Sequence, residues 1–287
     1  MVQFIETLKR RCDRSLQAVL IGALSLVCLG IVAKGAAADT LADVKKAGVL
    51  MTGTEMQFPP FDFLENTEYR GINRDLIDQV AKELGVKAQY LDLPWTSVLP
   101  GLEAKKFDLV IAPVTINKER MKRYAFTLPI SEATVALMKR AGDTSITKPQ
   151  DIAGKTVGGQ KGTSQLEQLK VYAKTLPKPV EVKEYVDNNQ ASADLAAGRI
   201  DATVNSLPNL AFAAAQRSDA FALVLPPFGQ PTYFSWVGRQ GETDASLMKA
   251  IDAALIKIEN DGRMAAIQKK WFGKDFVLPQ KLPEPSF

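Results

Sequence analysis

Two αβ lobes joined by two hinge strands are the α/β architecture that this 287-residue chain predicts. Three observations carry that reading. Short apolar strands alternate with helical patterns, the mark of layered α/β structure. The alternation restarts as a second series near Ile152. Two extended stretches, residues 131–143 and 232–239, lie where each would carry the chain from one lobe to the other.

The elements begin after a leader. Lys9, Arg10, Arg11 and Arg14 form a positive n-region, and residues 18–33 are nearly all apolar. Ala36-Ala37-Ala38 then offers an A-x-A cleavage site before Asp39. The apolar core is shorter than the roughly 20 residues a spanning helix needs. Residues 1–38 therefore read as a cleavable signal peptide, and the product as a soluble, exported protein. Cys12-Asp13-Arg14 is too polar for a twin-arginine signal, and bulky Val27 before Cys28 argues against lipidation.

In the mature chain, residues 49–55 read as a strand. The next helix sets Ile72, Leu76, Val80 and Leu84 on one stripe and stops at Gly85, a good C-terminal cap. Residues 87–91 form a second strand, 96–104 a short helix and 108–112 a third strand. That strand is expected to end in a turn, Ala112-Pro113-Val114-Thr115, before a short basic helix carrying Arg120. In the second series, 156–160 is a strand, and Ser164 with Glu167 has capping-box spacing at the start of a helix. Residues 180–186, a helix around Leu195 and residues 201–205 continue the pattern, and two helical segments end the chain. The implied division is 39–132 for the first part of lobe 1, 133–232 for lobe 2 and 233–287 for the return to lobe 1.

Composition excludes several functions. The chain has no histidine, and both cysteines lie in the leader. Ser-His-Asp and Cys-His catalysis and the usual zinc sites are thereby excluded, and no cofactor or metal is expected. Removing the leader's five Lys/Arg and two Asp/Glu from 36 and 32 leaves 31 against 30. A near-neutral surface argues against nucleic acid, which needs a concentrated basic face. A monomer that binds a small molecule is the expectation.

Site candidates cluster at strand ends. A strand opening onto a helix leaves unpaired N–H groups that attract anions, and Arg120 adds a planar fork for a carboxylate. Phe58-Pro59-Pro60-Phe61 is a stiffened loop in which Phe58 can wall a ligand slot, with Trp95 opposite; each ring can equally be ordinary packing. Glu55 stands where α/β sheets present ligand contacts, or is a solvated carboxylate. Gly162-Thr163-Ser164 offers N–H groups at a helix start, and Asn205-Ser206 a polar group on the far wall.

Taken in order, GTEMQFPPF, GINRDL, PWTSVLPGL, FDLVIAPVTINKER, VGGQKGTSQ, AAGRIDATVNS and DGRMAAIQKKWFG resemble the extracellular solute-binding proteins of family 3, periplasmic receptors of ABC importers for polar amino acids. The resemblance runs from about Leu41 to Gly273 and implies a periplasmic binding protein-like fold of type II, with two lobes that close over a ligand. It implies Phe58 and Trp95 as the aromatic pair around the ligand, Arg120 as the α-carboxylate grip with Thr115 beside it, and Ser164 completing that site. Glu55 would meet the ligand's side chain. The chain departs from the family at Ser206, where an aspartate usually pairs with the α-ammonium, and at Pro113, often glycine. A buried ammonium needs an anionic or at least multi-acceptor partner. Either Glu55 supplies it, or the ligand has no free α-ammonium. The resemblance implies delivery of an amino acid or related small carboxylate to a membrane permease. The alternative is an enzyme on the same fold, similar to the cyclohexadienyl dehydratases, in which Glu55, Lys161 or Glu132 would serve as general acid.

Overall fold

Hydrophobic period and cap residues set the elements of the chain, and the computed structural model describes residues 39–285 and 287. The leader expectation, with Cys12, Cys28 and cleavage after Ala38, lies outside the described residues. The chain opens with α1 (Thr40–Ala47) and β1 (Val49–Thr54). A small antiparallel sheet follows, of β2 (Gln57–Phe58), β3 (Asp62–Glu65) and β4 (Glu68–Arg70). Next come α2 (Ile72–Leu84), β5 (Lys87–Asp92), α3 (Trp95–Glu103), β6 (Leu109–Thr115), α4 (Lys118–Met121), β7 (Tyr124–Phe126) and β8 (Ser131–Glu132). The second series is β9 (Val135–Arg140), β10 (Thr156–Gln160), α5 (Ser164–Ala173), β11 (Glu181–Tyr185), α6 (Asn188–Ala196), β12 (Ala202–Ser206), α7 (Leu207–Gln216) and β13 (Phe221–Val224). Then β14 (Tyr233–Arg239), α8 (Glu242–Asn260) and α9 (Arg263–Phe272) return to the first sheet.

The first lobe's sheet has the order β5-β1-β6-β14-β7, with β8 also paired to β14. The second lobe's sheet has the order β11-β10-β12-β9-β13. In each, the strands of the αβ series run parallel, and a strand following a crossing pairs antiparallel. The two crossings are hydrogen-bonded to each other: Ala133 N–H donates to Thr232 O at 2.8 Å and Ile130 N–H to Phe234 O at 2.9 Å. A paired double connection resists shear while still allowing the lobes to hinge.

Strand β6 is longer than the sequence predicts. It runs through Pro113 to Thr115 and is buried throughout. Leu109 and Ile111 pack on one face with Leu76, Val80 and Ile251, and Val110, Ala112 and Val114 on the other with Val98 and Leu102. Apolar groups on both faces are what a central strand requires. Pro113 is tolerated because β14 shifts register between Ser235 and Val237, opposite that stretch, while β1 pairs only with Leu109 and Val110. No ladder bond is demanded of the missing N–H. The expected turn at 112–115 is therefore strand, and the turn falls later.

Helix α2 has no side-chain cap. Its first N–H groups are taken by the stiff loop instead: Ile72 donates to Pro60 O at 3.0 Å and Asn73 to Phe61 O at 3.1 Å. This satisfies orphan amides of the helix and fixes the loop that carries Phe58. Gly71 makes the approach possible, because a Cβ there would lie 2.0 Å from Phe61 O, at φ +134°. Beneath the loop, Asp62 accepts from Asn73 Nδ2 at 2.5 Å and from the Tyr69 hydroxyl, and Trp236 Nε1 donates to Asn73 Oδ1 at 3.0 Å. Gly71→Ala should cost on the order of 3 kcal/mol, the sum of a strained φ and a backbone clash. Urea denaturation checks it, and a loss below about 1 kcal/mol would mean the loop has room to move.

Candidate functional site

The lobes meet at the carboxyl ends of their parallel strands, where open α/β sheets place ligands. Glu55 follows β1 and Thr115 ends β6, while Gln160 ends β10 and Gln165 lies in the first turn of α5. Side chains from the two lobes are hydrogen-bonded across the gap. Gln160 Nε2 donates to Glu55 Oε1 at 2.5 Å, and Gln165 Nε2 to Thr115 Oγ1 at 3.2 Å. Trp95 Nε1 donates to Gly162 O at 3.0 Å, Asn117 Nδ2 to Ser164 Oγ at 3.0 Å, and Asn209 Nδ2 to Pro59 O at 2.7 Å. The lobes are closed on one another.

Arg120 stands at the centre of this seam. Its guanidinium donates to Thr115 O at 3.4 Å and to Gly162 O at 3.3 Å, and lies 5.3 Å from the centre of the Trp95 ring. Among the described residues these partners are neutral, and Arg120 makes no ion pair. Burial lowers its pKa to about 10, so it remains cationic at neutral pH. An unpaired, partly desolvated guanidinium is chemically able to take an anion. The backbone amides expected to help are already engaged. Arg120 N–H donates to Asn117 Oδ1 at 2.8 Å and Lys118 N–H to Phe287 O at 3.0 Å. Helix α4 is a single turn, and its contribution is the arginine fork rather than its N–H groups.

Glu55 is the acidic counterpart. It is 5% exposed. Burial pushes its pKa up to about 7, opposed by the Gln160 amide and the Trp95 N–H, while Asp187 and Asp62 push in the same upward direction. Gln160 is itself oriented, since Asn188 Nδ2 donates to its Oε1 at 2.8 Å and its own Nε2 also reaches Val186 O at 3.2 Å. The amide end facing Glu55 is thus held as donor.

A cavity of about 20 Å³ lies between these groups, lined by Glu55, Phe58, Trp95, Thr115, Arg120 and the newly found Gln160 and Gln165, among others. Five of the sequence candidates are brought together there. Two are not. Ser164 is buried with its hydroxyl on Asn117, and it faces a separate, outer recess. The cap of α5 is Thr163, whose Oγ1 accepts from Leu166 N at 3.2 Å, so the expected Ser164–Glu167 box is displaced by one residue. Ser206 is fully buried at the start of α7, where its hydroxyl donates to Asn209 Oδ1 and its N–H to Asn205 Oδ1 at 2.7 Å. Through Asn209 it holds Pro59 and the Phe58 loop, so it links the lobes without lining the cavity. Gln160 has a signal that sequence reading missed: it stands at the carboxyl end of a strand, as Glu55 stands just past one. Gln165 and Asn209 carry no comparable signal.

The fold is that of a two-lobed binding protein, with a cavity in the seam between the lobes. The chain belongs to the bacterial extracellular solute-binding proteins, family 3, whose family model matches residues 50–274. The L-cystine-binding protein TcyJ of Escherichia coli (strain K12) is 33% identical over 235 residues, covering 81% of this chain and 85% of that protein. An ancestral arginine-binding protein bound to arginine superposes with a TM-score of 0.73 at 34% identity, over 79% of this chain and 99% of that one. The ancestral amino acid-binding protein AncCDT-1, a precursor of cyclohexadienyl dehydratase, has a TM-score of 0.73 at 28% identity, over 82% and 100%.

Glu55 and Asp62 each have a pKa raised by burial to about 7, from ordinary values of 4.5 and 3.8. The folded chain therefore holds protons that the unfolded chain releases. The stabilisation is complete at low pH and is lost as pH rises through about 4.5 to about 7. Glu55→Gln removes one of the two groups, so its stability should fall less steeply than wild type's between pH 5 and 8. Urea titrations at several pH values test this, and parallel slopes would mean that Glu55 is ionised throughout in the folded protein.

Proposed function

We propose that the chain is the periplasmic, monomeric ligand-capturing component of an ABC importer, taking an amino acid into the seam and presenting the closed form to a membrane permease. L-cystine is the first ligand to test, because a cystine-binding relative shares 33% identity over most of both chains. The observation that carries the reading is Arg120, a cation held between the lobes by neutral partners and beside an aromatic ring. A ligand carboxylate there would be gripped from both lobes' side of the seam, so binding and closure would be one event. Glu55 is the one carboxylate among the residues lining the cavity, and it is the group that would neutralise an ammonium. Ser206 supplies no charge, and its hydroxyl is engaged elsewhere.

A second reading rests on the same Glu55. A buried carboxyl with a pKa near 7 suits a general acid, as a dehydratase of the cyclohexadienyl type would need. Gln160 donates to it and leaves the receptor reading in front, since a general acid is better served by an acceptor beside it. Turnover of a cyclohexadienyl acid that disappears in Glu55→Gln would reverse that preference.

Calorimetry on residues 39–287 with L-cystine, L-arginine, L-glutamine and succinate tests the ligand class. Arg120→Ala should lose on the order of 2–5 kcal/mol of binding. Arg120→Lys should recover little, because a point charge does not copy the fork. Undiminished binding by Arg120→Ala sinks the carboxylate assignment. A zwitterionic ligand must find Glu55 ionised, so its affinity should weaken as pH falls from 8 to 6, with protons released on binding near pH 6.5. Titrations in buffers of different ionisation enthalpy read that release directly. Succinate, which has no ammonium, should bind without releasing protons, and proton release with succinate would show that Glu55 is not the ammonium partner.

A further inference from the structure

The hairpin that carries Phe58 is also held from the second lobe, at points away from the cavity. Phe58 and Phe63 lie on its paired strands, β2 and β3, with Gln57 opposite Phe63 and Phe58 opposite Asp62. Phe58 lines the cavity, whereas Phe63 borders a different recess, which it shares with Phe212 and Trp271. Helix α7, packed on β9 and β13 of the second sheet, reaches the hairpin twice. Asn209 Nδ2 donates to Pro59 O at 2.7 Å. Phe212 is three residues further on and so on the same helix face, and its ring centroid stands 6.3 Å from that of Phe63, with planes at 48°. Aromatic pairs attract at separations of about 4.5–7 Å.

Both sides of this contact are prepared in advance. The Ser206 hydroxyl donates to Asn209 Oδ1, which leaves Nδ2 as the end that meets Pro59. On the first lobe, Trp271 packs edge-on against Phe63, with centroids 5.6 Å apart and planes at 89°. The Trp271 indole N–H donates to Asp75 Oδ2 at 2.7 Å. Lys270 Nζ donates to the same oxygen at 2.6 Å and lies 4.9 Å from the centre of the Trp271 ring. A platform already fixed by charge-assisted bonds has little freedom left to lose when Phe212 arrives. Phe63 and Phe212 are both half-buried, so parting the lobes would return apolar ring surface to water.

We propose that Phe212 is a positioning residue for lobe closure, acting by holding the Phe58 hairpin against the second lobe through Phe63. Because Phe58 and Phe63 share one hairpin, a hold on Phe63 fixes a wall of the cavity together with the angle between the lobes. The contact involves no group that lines the cavity, so it favours the closed form before any ligand enters. A ligand's apparent affinity then rises with the closed population. The proposal does not depend on the carboxylate reading of Arg120.

A ligand-free measurement tests it. Residues 39–287 contain no cysteine, so dyes can be attached at Lys46→Cys in α1 and Lys174→Cys at the end of α5, exposed positions in different lobes. Single-molecule energy transfer between them should show a closed fraction in the otherwise unaltered chain. Phe212→Ala should lower that fraction about tenfold, and Phe212→Leu should restore much of it. In a Phe63→Ala background, Phe212→Ala should change the fraction less than twofold, because its partner is already gone. A side chain that served only the packing of α7 would lower stability in urea and leave the closed fraction of the folded molecules unmoved. The absence of a closed fraction in the unaltered chain would overturn the proposal. So would equal fractions with Phe, Leu and Ala at position 212, or an undiminished effect of Phe212→Ala in the Phe63→Ala background.

Discussion

An arginine with no counter-ion among the described residues, set in the seam between two lobes, is the constraint around which this protein is organised. Leaving a charge partly desolvated and unpaired is unfavourable, and the surrounding structure must hold it there. The hold comes from several directions. Burial on both faces keeps β6 rigid up to Thr115, Asn117 caps the single turn that carries Arg120, and Trp95 offers its ring face. Gly162 contributes a carbonyl from the other lobe, which the Trp95 indole shares. These partners orient the guanidinium without neutralising it, so its attraction for an anion is preserved.

The cross-lobe contacts are mostly neutral hydrogen bonds, each contributing about 1 kcal/mol net. That is enough to define the closed geometry and too little to lock it irreversibly. A receptor needs this balance, because a ligand shifts an equilibrium only by its differential affinity for the two forms. A carboxylate on Arg120, as proposed, would be such a differential interaction, since Thr115 and Gly162 frame the guanidinium from opposite lobes. The paired crossings at 130–134 and 232–234 let that local change become a movement of whole lobes.

Much of the architecture was legible because it follows from period and caps. The stripe of Ile72, Leu76, Val80 and Leu84 and the αL stop at Gly85 follow from those rules, as do the apolar strands of both series. Proline at 113 misled, because a strand reading treats it as a breaker, while the register shift in β14 that excuses it lies more than a hundred residues away. The same distance hides Gln165 and Asn209. Their partners, Thr115 and Pro59, are fixed only once the lobes have closed. Glu55, Phe58, Trp95, Thr115 and Arg120 were legible as strand-end and loop residues. Their convergence on one cavity was not, since it depends on the crossing geometry.

A serine at 206 in place of an acid bears on how the proposed site would sense ligand charge. With Ser206 committed to Asn209, Glu55 is the one acidic group among the residues lining the cavity, and burial raises its pKa to about 7. A carboxylate already ionised would repel an anionic ligand and attract any cation. One poised near its pKa presents either character at small cost, taking a proton beside a neutral group and releasing it beside an ammonium. Gln160 sharpens the choice, because its locked amide offers the ionised form a donor in either case. On the proposed reading, the cavity combines a fixed positive charge at Arg120 with a carboxyl at Glu55 whose negative charge is adjustable. Discrimination among amino acids by the charge of the group opposite the carboxylate then becomes a matter of proton linkage as well as of shape.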